Sequence, residues 1–65
     1  MTLKEALEVI DPFSLNTICA CSEQNFAIRF IPTNQLDRIS EKDLNREVIE
    51  IYPDCGLNII IKEGE

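Results

Sequence analysis

The chain has 65 residues, of which 45% are hydrophobic, and its twelve acidic and six basic side chains give a net charge of −6 at neutral pH. A chain of this length builds one small domain, residues 1–65, around a single core. The negative charge repels a phosphate backbone at long range, which argues against direct nucleic-acid binding. Charged residues interrupt the amino-terminal stretch MTLKEALEVI, which predicts neither a signal peptide nor a membrane span, so we expect a cytoplasmic protein without a membrane partner.

The first predicted element is a short amphipathic helix. Thr2 and Glu5 stand at capping-box spacing, which satisfies two backbone amides at a helix start. An apolar stripe follows at the i, i+3, i+4 and i+7 positions, formed by Leu3, Ala6, Leu7 and Ile10. The pair Asp11-Pro12 ends the helix, because the residue before a proline is disfavoured in the helical region.

Two β-rich runs, SLNTICAC and NFAIRFI, predict a first hairpin closed by residues 22–24. Large side chains alternate along the second run, so we expect three of them to face the helix: Phe26, Ile28 and Phe30. The register of the first strand stays open. One loop length sets Cys19 and Cys21 beside these residues, an arrangement that we slightly favour. A loop one residue longer or shorter sets Ile18 and Ala20 there instead.

The three cysteines are expected to be structural. An odd number of cysteines in a reducing cytosol argues against a disulfide framework. In an extended strand the Cα atoms of Cys19 and Cys21 lie about 6.5 Å apart, so the two thiolates would need a bend in the chain to share one zinc ion. The chain has no histidine to complete a metal site or to activate a nucleophile. We therefore expect no bound metal, no cofactor and no enzymatic activity.

The runs REVIEIYP and LNIIIKE predict a second hairpin around the three-residue loop Asp54-Cys55-Gly56, with Gly56 in the left-handed conformation. This loop length sets the register of the two strands. On the face expected beneath the helix, the pairs are Ile51 with Ile59 and Ile49 with Ile61. On the opposite face, the pairs are Tyr52 with Asn58, Glu50 with Ile60 and Val48 with Lys62.

The segment between the hairpins contains Ser40 and Asp43 at capping-box spacing, which predicts a short helical turn. The expected fold class is therefore α+β. One N-terminal helix packs on a four-stranded, largely antiparallel sheet, which is made of two hairpins joined by a short helical crossover.

The order of these segments resembles a group of small proteins carried by phages and prophages of Gram-positive bacteria. The similar parts are an opening like TLKEALEVID, a β-hairpin, and then SEKDLNREVIEIYPDCGLNIII. The residues that carry the resemblance best are Leu44, Arg46, Val48, Ile51 and Tyr52. The resemblance implies an accessory protein that acts without chemistry, by binding and disabling a host component or by capturing a nucleotide signal.

The face turned away from the helix carries most of the candidate site residues. Four apolar residues are expected to share it and to form a homo-oligomer interface: Ile31, Val48, Tyr52 and Ile60. The expected site for a small anionic ligand consists of Arg29, Arg46 and Lys62, with Tyr52 available to stack on a base. Pairing of these cations with carboxylates is the competing interpretation. The acidic residues expected to dock on a host protein are Glu41, Asp43, Glu47 and Glu50.

The leading hypothesis is a non-catalytic, phage-type accessory protein that binds and disables a host protein, a defence component, in the host cytoplasm. One alternative is an oligomeric sponge that sequesters a small anionic signalling nucleotide. Another is a small structural or assembly factor of the virion. A nucleotide that raises the melting temperature would separate the sponge from the inhibitor.

Overall fold

The computed structural model describes residues 1–22 and 26–63, so the predicted turn at residues 23 and 24 lies outside the described residues. The elements are α1 (Leu3–Val9), β1 (Leu15–Cys21), β2 (Ala27–Ile31), α2 (Glu41–Leu44), β3 (Val48–Pro53) and β4 (Leu57–Lys62). The four strands form one sheet in the order β2-β1-β4-β3. β1 runs antiparallel to β2 and parallel to β4, and β4 runs antiparallel to β3. The expected α+β fold is confirmed.

The start of α1 follows the capping rule that the sequence predicts. The Glu5 amide donates to Thr2 Oγ1 at 3.2 Å, and the Thr2 amide donates to Glu5 Oε1 at 2.9 Å. Leu3 and Ala6 are fully buried, and Leu7 and Ile10 pack against the core. The predicted stripe is therefore the buried side of the helix, and Ile10 forms its C-cap.

The core lies between α1 and one face of the sheet, which we call the inner face. Its side chains come from all four strands and are Ile18, Ala20, Ile31, Val48, Ile59 and Ile61. Leu36 and Ile39, from the connection between β2 and α2, pack on the same core. Each fully buried isoleucine stabilises the fold by about 2–3 kcal/mol. α1 and the connection after β2 therefore pack on the same side of the sheet.

The prediction for β2 is wrong. Phe26, Ile28 and Phe30 were expected beneath the helix, but they are 69%, 52% and 67% exposed. The pairing of Ile31 with Ile18 turns Ile31 inward, where it is 6% exposed. The alternation of the strand then places Phe30 on the opposite face, which we call the outer face.

The register of β3 and β4 agrees with the prediction over most of its length. The expected pairs of Glu50 with Ile60, Ile51 with Ile59 and Tyr52 with Asn58 are all present. The two predicted pairs at the start of β3 are absent, because a bulge between residues 48 and 50 shifts the register. Val48, not Ile49, therefore lies opposite Ile61. The bulge brings Val48 against the core and leaves Ile49 48% exposed.

The loop of this hairpin is organised by the buried side chain of Asn58, which is 3% exposed. Its Nδ2 donates to the carbonyl oxygens of Tyr52, Asp54 and Gly56 at 3.3, 3.0 and 3.4 Å. Its Oδ1 accepts hydrogen bonds from Asn16 Nδ2 at 3.0 Å and from Thr17 Oγ1 at 2.7 Å, both in β1. One amide thus joins the loop to the neighbouring strand, and sequence patterns do not reveal this role.

Gly56 has a φ of +116°, which confirms the predicted left-handed position, and Cys55 has a positive φ of 57° as well. A Cβ at Gly56 would lie 2.9 Å from the Ser14 carbonyl oxygen and 3.2 Å from Asn16 Cβ. The loop therefore needs glycine there both for its backbone conformation and for its close approach to the start of β1.

We expect Gly56→Ala to lower the free energy of unfolding by about 2 kcal/mol or more, because the added Cβ meets backbone and the backbone conformation is unfavourable. Cys55→Ala is the matched control, since residue 55 already tolerates a Cβ and is exposed. Urea unfolding followed by circular dichroism measures both variants. Equal stability of the two variants would contradict this account of the loop.

Candidate functional site

Arg29 and Arg46 meet two carboxylates at the edge of the inner face. Arg29 Nη1 donates to Asp43 Oδ2 at 3.2 Å, and Nη2 donates to Glu63 Oε1 at 3.0 Å. Arg46 Nε donates to the Asp43 carboxylate at 2.8 Å. The competing interpretation of these arginines, pairing with carboxylates, is the one that the structure supports. The ligand set proposed from the sequence does not come together, because Tyr52 and Lys62 lie on the outer face.

The ion pairs shift the pKa values of both partners. The guanidinium of Arg29, and then that of Arg46, holds the pKa of Asp43 at about 2 despite the opposing effect of its burial. The pKa of Arg29 is raised, chiefly by its hydrogen bonds to Asp43 and Glu63. The Asp43 side chain is only 14% exposed. Asp43 is thus engaged with two arginines of its own chain, whereas Glu41, Glu47 and Glu50, the other residues expected to dock on a partner, are exposed.

A cavity of about 240 Å³ adjoins this cluster, between the end of β2 and the connection to α2. Arg29 and Asp43 form part of its wall, and Arg38 and Gln35 lie at the same cavity. Pockets that enclose small organic ligands are usually about 300–1,000 Å³. With one arginine already bound to a carboxylate, this cavity offers little net positive charge to an anion.

The outer face is largely apolar at its centre. Its residues, read across the sheet in three rows, are Phe30, Cys19, Ile60 and Glu50; Ala27, Cys21 and Lys62; and Thr17, Asn58 and Tyr52. Phe30 is 67% exposed and Tyr52 is 38% exposed. α1 and the connection after β2 pack on the other side of the sheet. Among the described residues, the outer face therefore lacks the layer that these segments form over the inner face.

The predicted apolar interface is split between the two faces of the sheet. Tyr52 and Ile60 lie on the outer face as expected. Ile31 is buried in the core and Val48 packs against it, so the expectation that they share this face is wrong. Phe30 takes their place in the patch, a residue that its size had assigned to the core.

The sulfurs of Cys19 and Cys21 lie 3.6 Å apart on the outer face. Both side chains are buried, at 9% and 6% exposure, although they face away from the helix. The pairing of β1 with β2 shifts at this point because β2 carries an extra residue, Ile28, whereas β1 pairs regularly with β4 from Cys19 to Cys21. Burial, followed by the hydrogen bond and charge of Cys21, raises the pKa of Cys19. The thiol is therefore a poor nucleophile in this environment.

β3 forms one edge of the sheet, and five of its six residues are exposed. The chain start covers only its beginning, where the Val48 amide donates to the Met1 carbonyl oxygen at 2.8 Å. The outer edge of residues 49–53 pairs with no strand among residues 1–22 and 26–63. Ile49 and Glu50 are among the exposed side chains of this open edge.

The chain matches no protein-family model, no curated protein and no solved structure. Inference about its function therefore rests on the two surfaces described above, the outer face and the open edge of β3. In the part of the chain that the structure describes, no helix is long and apolar enough to cross a membrane.

We expect the stability of the wild-type protein to fall between about pH 4 and pH 2 in part because Asp43 becomes protonated. A carboxyl whose pKa is lower in the folded state stabilises the fold above its unfolded pKa, and this stabilisation is lost as the pH falls through the folded value. Asp43→Asn should cost about 1–2 kcal/mol at neutral pH and little near pH 2. Asp37→Asn, at an exposed residue, is the control. A difference in unfolding free energy between wild type and Asp43→Asn that is the same at both pH values would contradict the role of the ion pair between Asp43 and Arg29.

The homo-oligomer interface expected on the outer face predicts that Phe30→Ser weakens self-association at least tenfold, because an aromatic ring that becomes buried on association contributes much of the binding energy. Phe13→Ser is the matched control, since Phe13 is 97% exposed and lies outside the sheet. Sedimentation equilibrium measures the dissociation constant of each variant. A wild-type monomer at high concentration, or equal association of wild type and Phe30→Ser, would contradict this role of the outer face.

Proposed function

We propose that this chain is a non-catalytic, phage-type accessory protein that associates with itself through the outer face and binds a host protein along the open edge of β3. That host protein is a defence component in the host cytoplasm, and the chain disables it by binding to it. The observation that carries the proposal is an exposed edge strand that combines apolar and acidic side chains.

An open edge strand is a template for another extended segment, because its unpaired amides and carbonyls can continue the sheet. Soluble proteins commonly protect such edges with lysine, proline or a covering loop. Here the chain start covers one end and Pro53 closes the other, which leaves a short accessible stretch between them. The side chains of Ile49, Ile51 and Tyr52 provide apolar contacts there, and each is 38–48% exposed.

Charge specifies the kind of partner that this edge accepts. Glu47 precedes β3 and Glu50 lies within it, and both are exposed. Arg46, the cation directly before Glu47 in the chain, is engaged with carboxylates. A segment with basic side chains therefore fits the edge best, and the net charge of −6 speeds its approach.

A second copy is the occupant that fits the outer face. Among the described residues of this face, one exposed cation, Lys62, and one exposed anion, Glu50, lie on the adjoining strands β4 and β3, next to Ile60. In a two-fold interface each residue of a contact pair appears twice, so one cation and one anion on the same patch can complement each other. The edge of β3 stays accessible at the side of such a dimer.

The nucleotide-sponge alternative draws less support from the geometry. Two of its three proposed cations, Arg29 and Arg46, donate to Asp43 and Glu63. A phosphate would have to displace these carboxylates before it could bind. The virion-factor alternative would use the same surfaces for assembly and predicts incorporation into particles.

The test is capture of a host protein from a Gram-positive lysate, followed by mapping of the contact. The double variant Glu47→Lys and Glu50→Lys should lose at least tenfold in affinity for the captured protein, because it reverses the charge along the edge. Glu8→Lys with Asp37→Lys is the matched control, since it makes the same charge change at exposed residues outside β3.

A photo-reactive residue at position 51 should cross-link to the partner, whereas the same residue at position 9, which is 77% exposed in α1, should not. Expression of the wild-type chain in a defence-carrying host should also raise phage plating, and the edge variant should not. Equal binding by the edge variant and its control, or cross-linking from position 9 alone, would contradict docking on β3.

A further inference from the structure

We propose that the outer face binds a zinc-type divalent cation between two copies of this chain, with Cys19 and Cys21 of each copy as the four ligands. The inference rests on the self-association proposed above and adds a metal that neither copy can hold alone. In the part of the chain that the structure describes, no group of three or more metal-binding side chains comes together. The site is therefore incomplete without the partner copy.

The two sulfurs of one copy have the spacing of neighbouring ligands on one metal ion. They lie 3.6 Å apart. A tetrahedral zinc ion with Zn–S bonds of about 2.3 Å places its sulfur ligands roughly 3.8 Å from one another. The Cα spacing of a regular strand argued against such a pair, but the side chains of Cys19 and Cys21 lean toward each other, which brings the two sulfurs to 3.6 Å and which the sequence does not reveal.

Cys19 and Cys21 also lie where the outer face of a second copy would contact this chain. β1 is an interior strand, so its outward side chains lie near the middle of the outer face. Facing sheets pack about 10 Å apart, and a cysteine sulfur stands roughly 3 Å above its own sheet, which leaves about 4 Å between sulfurs of opposed copies. This distance is close to the spacing within one copy, so four sulfurs can form a tetrahedron.

The thiols are buried in one copy, at 9% and 6% exposure, although α1 packs on the other face of the sheet. Phe30 lies beside Cys19 across the β1–β2 pair, and its side chain is 67% exposed. A side chain with so little burial can turn aside without losing much apolar contact. A metal can therefore reach the sulfurs when a second sheet approaches.

Binding is a ligand exchange without a redox step. Each of the four thiols transfers its proton to water or buffer, and its sulfur replaces a water molecule on the hydrated cation. Four S–H bonds break, four Zn–S bonds form and four protons are released, so metal uptake should weaken as the pH falls. The bound ion joins two chains that each carry a charge of −6.

Native mass spectrometry of the reduced full chain, with and without added zinc, tests the proposal. The wild type should carry one zinc ion per two chains. Cys19→Ser and Cys21→Ser should each weaken zinc binding at least tenfold, whereas Cys55→Ser, at the exposed third cysteine, should keep the same stoichiometry. Cobalt in place of zinc should give the intense visible absorption of a tetrahedral tetrathiolate, and this wild-type spectrum decides the question if a serine variant fails to fold.

Three results would overturn the metal site. A dimer that binds no zinc rejects the site and leaves the self-association of the proposed function in place. One zinc ion per single chain, or zinc binding that depends on Cys55, rejects the shared geometry. A monomer that binds no zinc at any concentration rejects both the site and the self-association.

Discussion

The alternation of side chains along β1 determines the organisation of this domain. β1 lies between β2 and β4, so each of its residues has a neighbour on both sides in the sheet. Ile18 points to the inner face with Ile31 and Ile59, and Cys19 points to the outer face with Phe30 and Ile60. A slip of one residue would exchange the two sets, burying thiols beneath α1 and exposing isoleucine to water. The position of the core and the composition of the outer face thus follow from one register.

The size of the helix explains why a second surface remains open. α1 has seven residues and is therefore about 10 Å long, whereas four strands span roughly 14 Å. One such helix, with the connection after β2, covers the inner face only in part, and Ile51 stays 38% exposed at its margin. The outer face has no covering layer among the described residues. Association with another protein surface is one of the ways in which a small domain gains stability that its own core does not supply.

Local rules predicted much of the fold, because capping and tight turns depend on neighbouring residues. Thr2 with Glu5 and the loop at Gly56 are examples. Local rules could not predict which β2 side chains lie on the inner face. The alternation of the strand fits either register, and the size of Phe30 favours the wrong one. What distinguishes the two registers are contacts distant in sequence, above all Arg29 with Glu63. The approach of the two sulfurs and the bulge in β3 likewise depend on how strands pair, so they required coordinates.

Isotope-filtered nuclear Overhauser spectroscopy on a sample of mixed labelled and unlabelled chains distinguishes the buried face of the sheet from the face that meets a second copy. We expect contacts between copies at Phe30 and Ile60, together with contacts within one chain between Leu3 and Ile18. Contacts from Phe30 to Leu3 within a single chain, with none between copies, would show that the outer face is the core and would contradict the account.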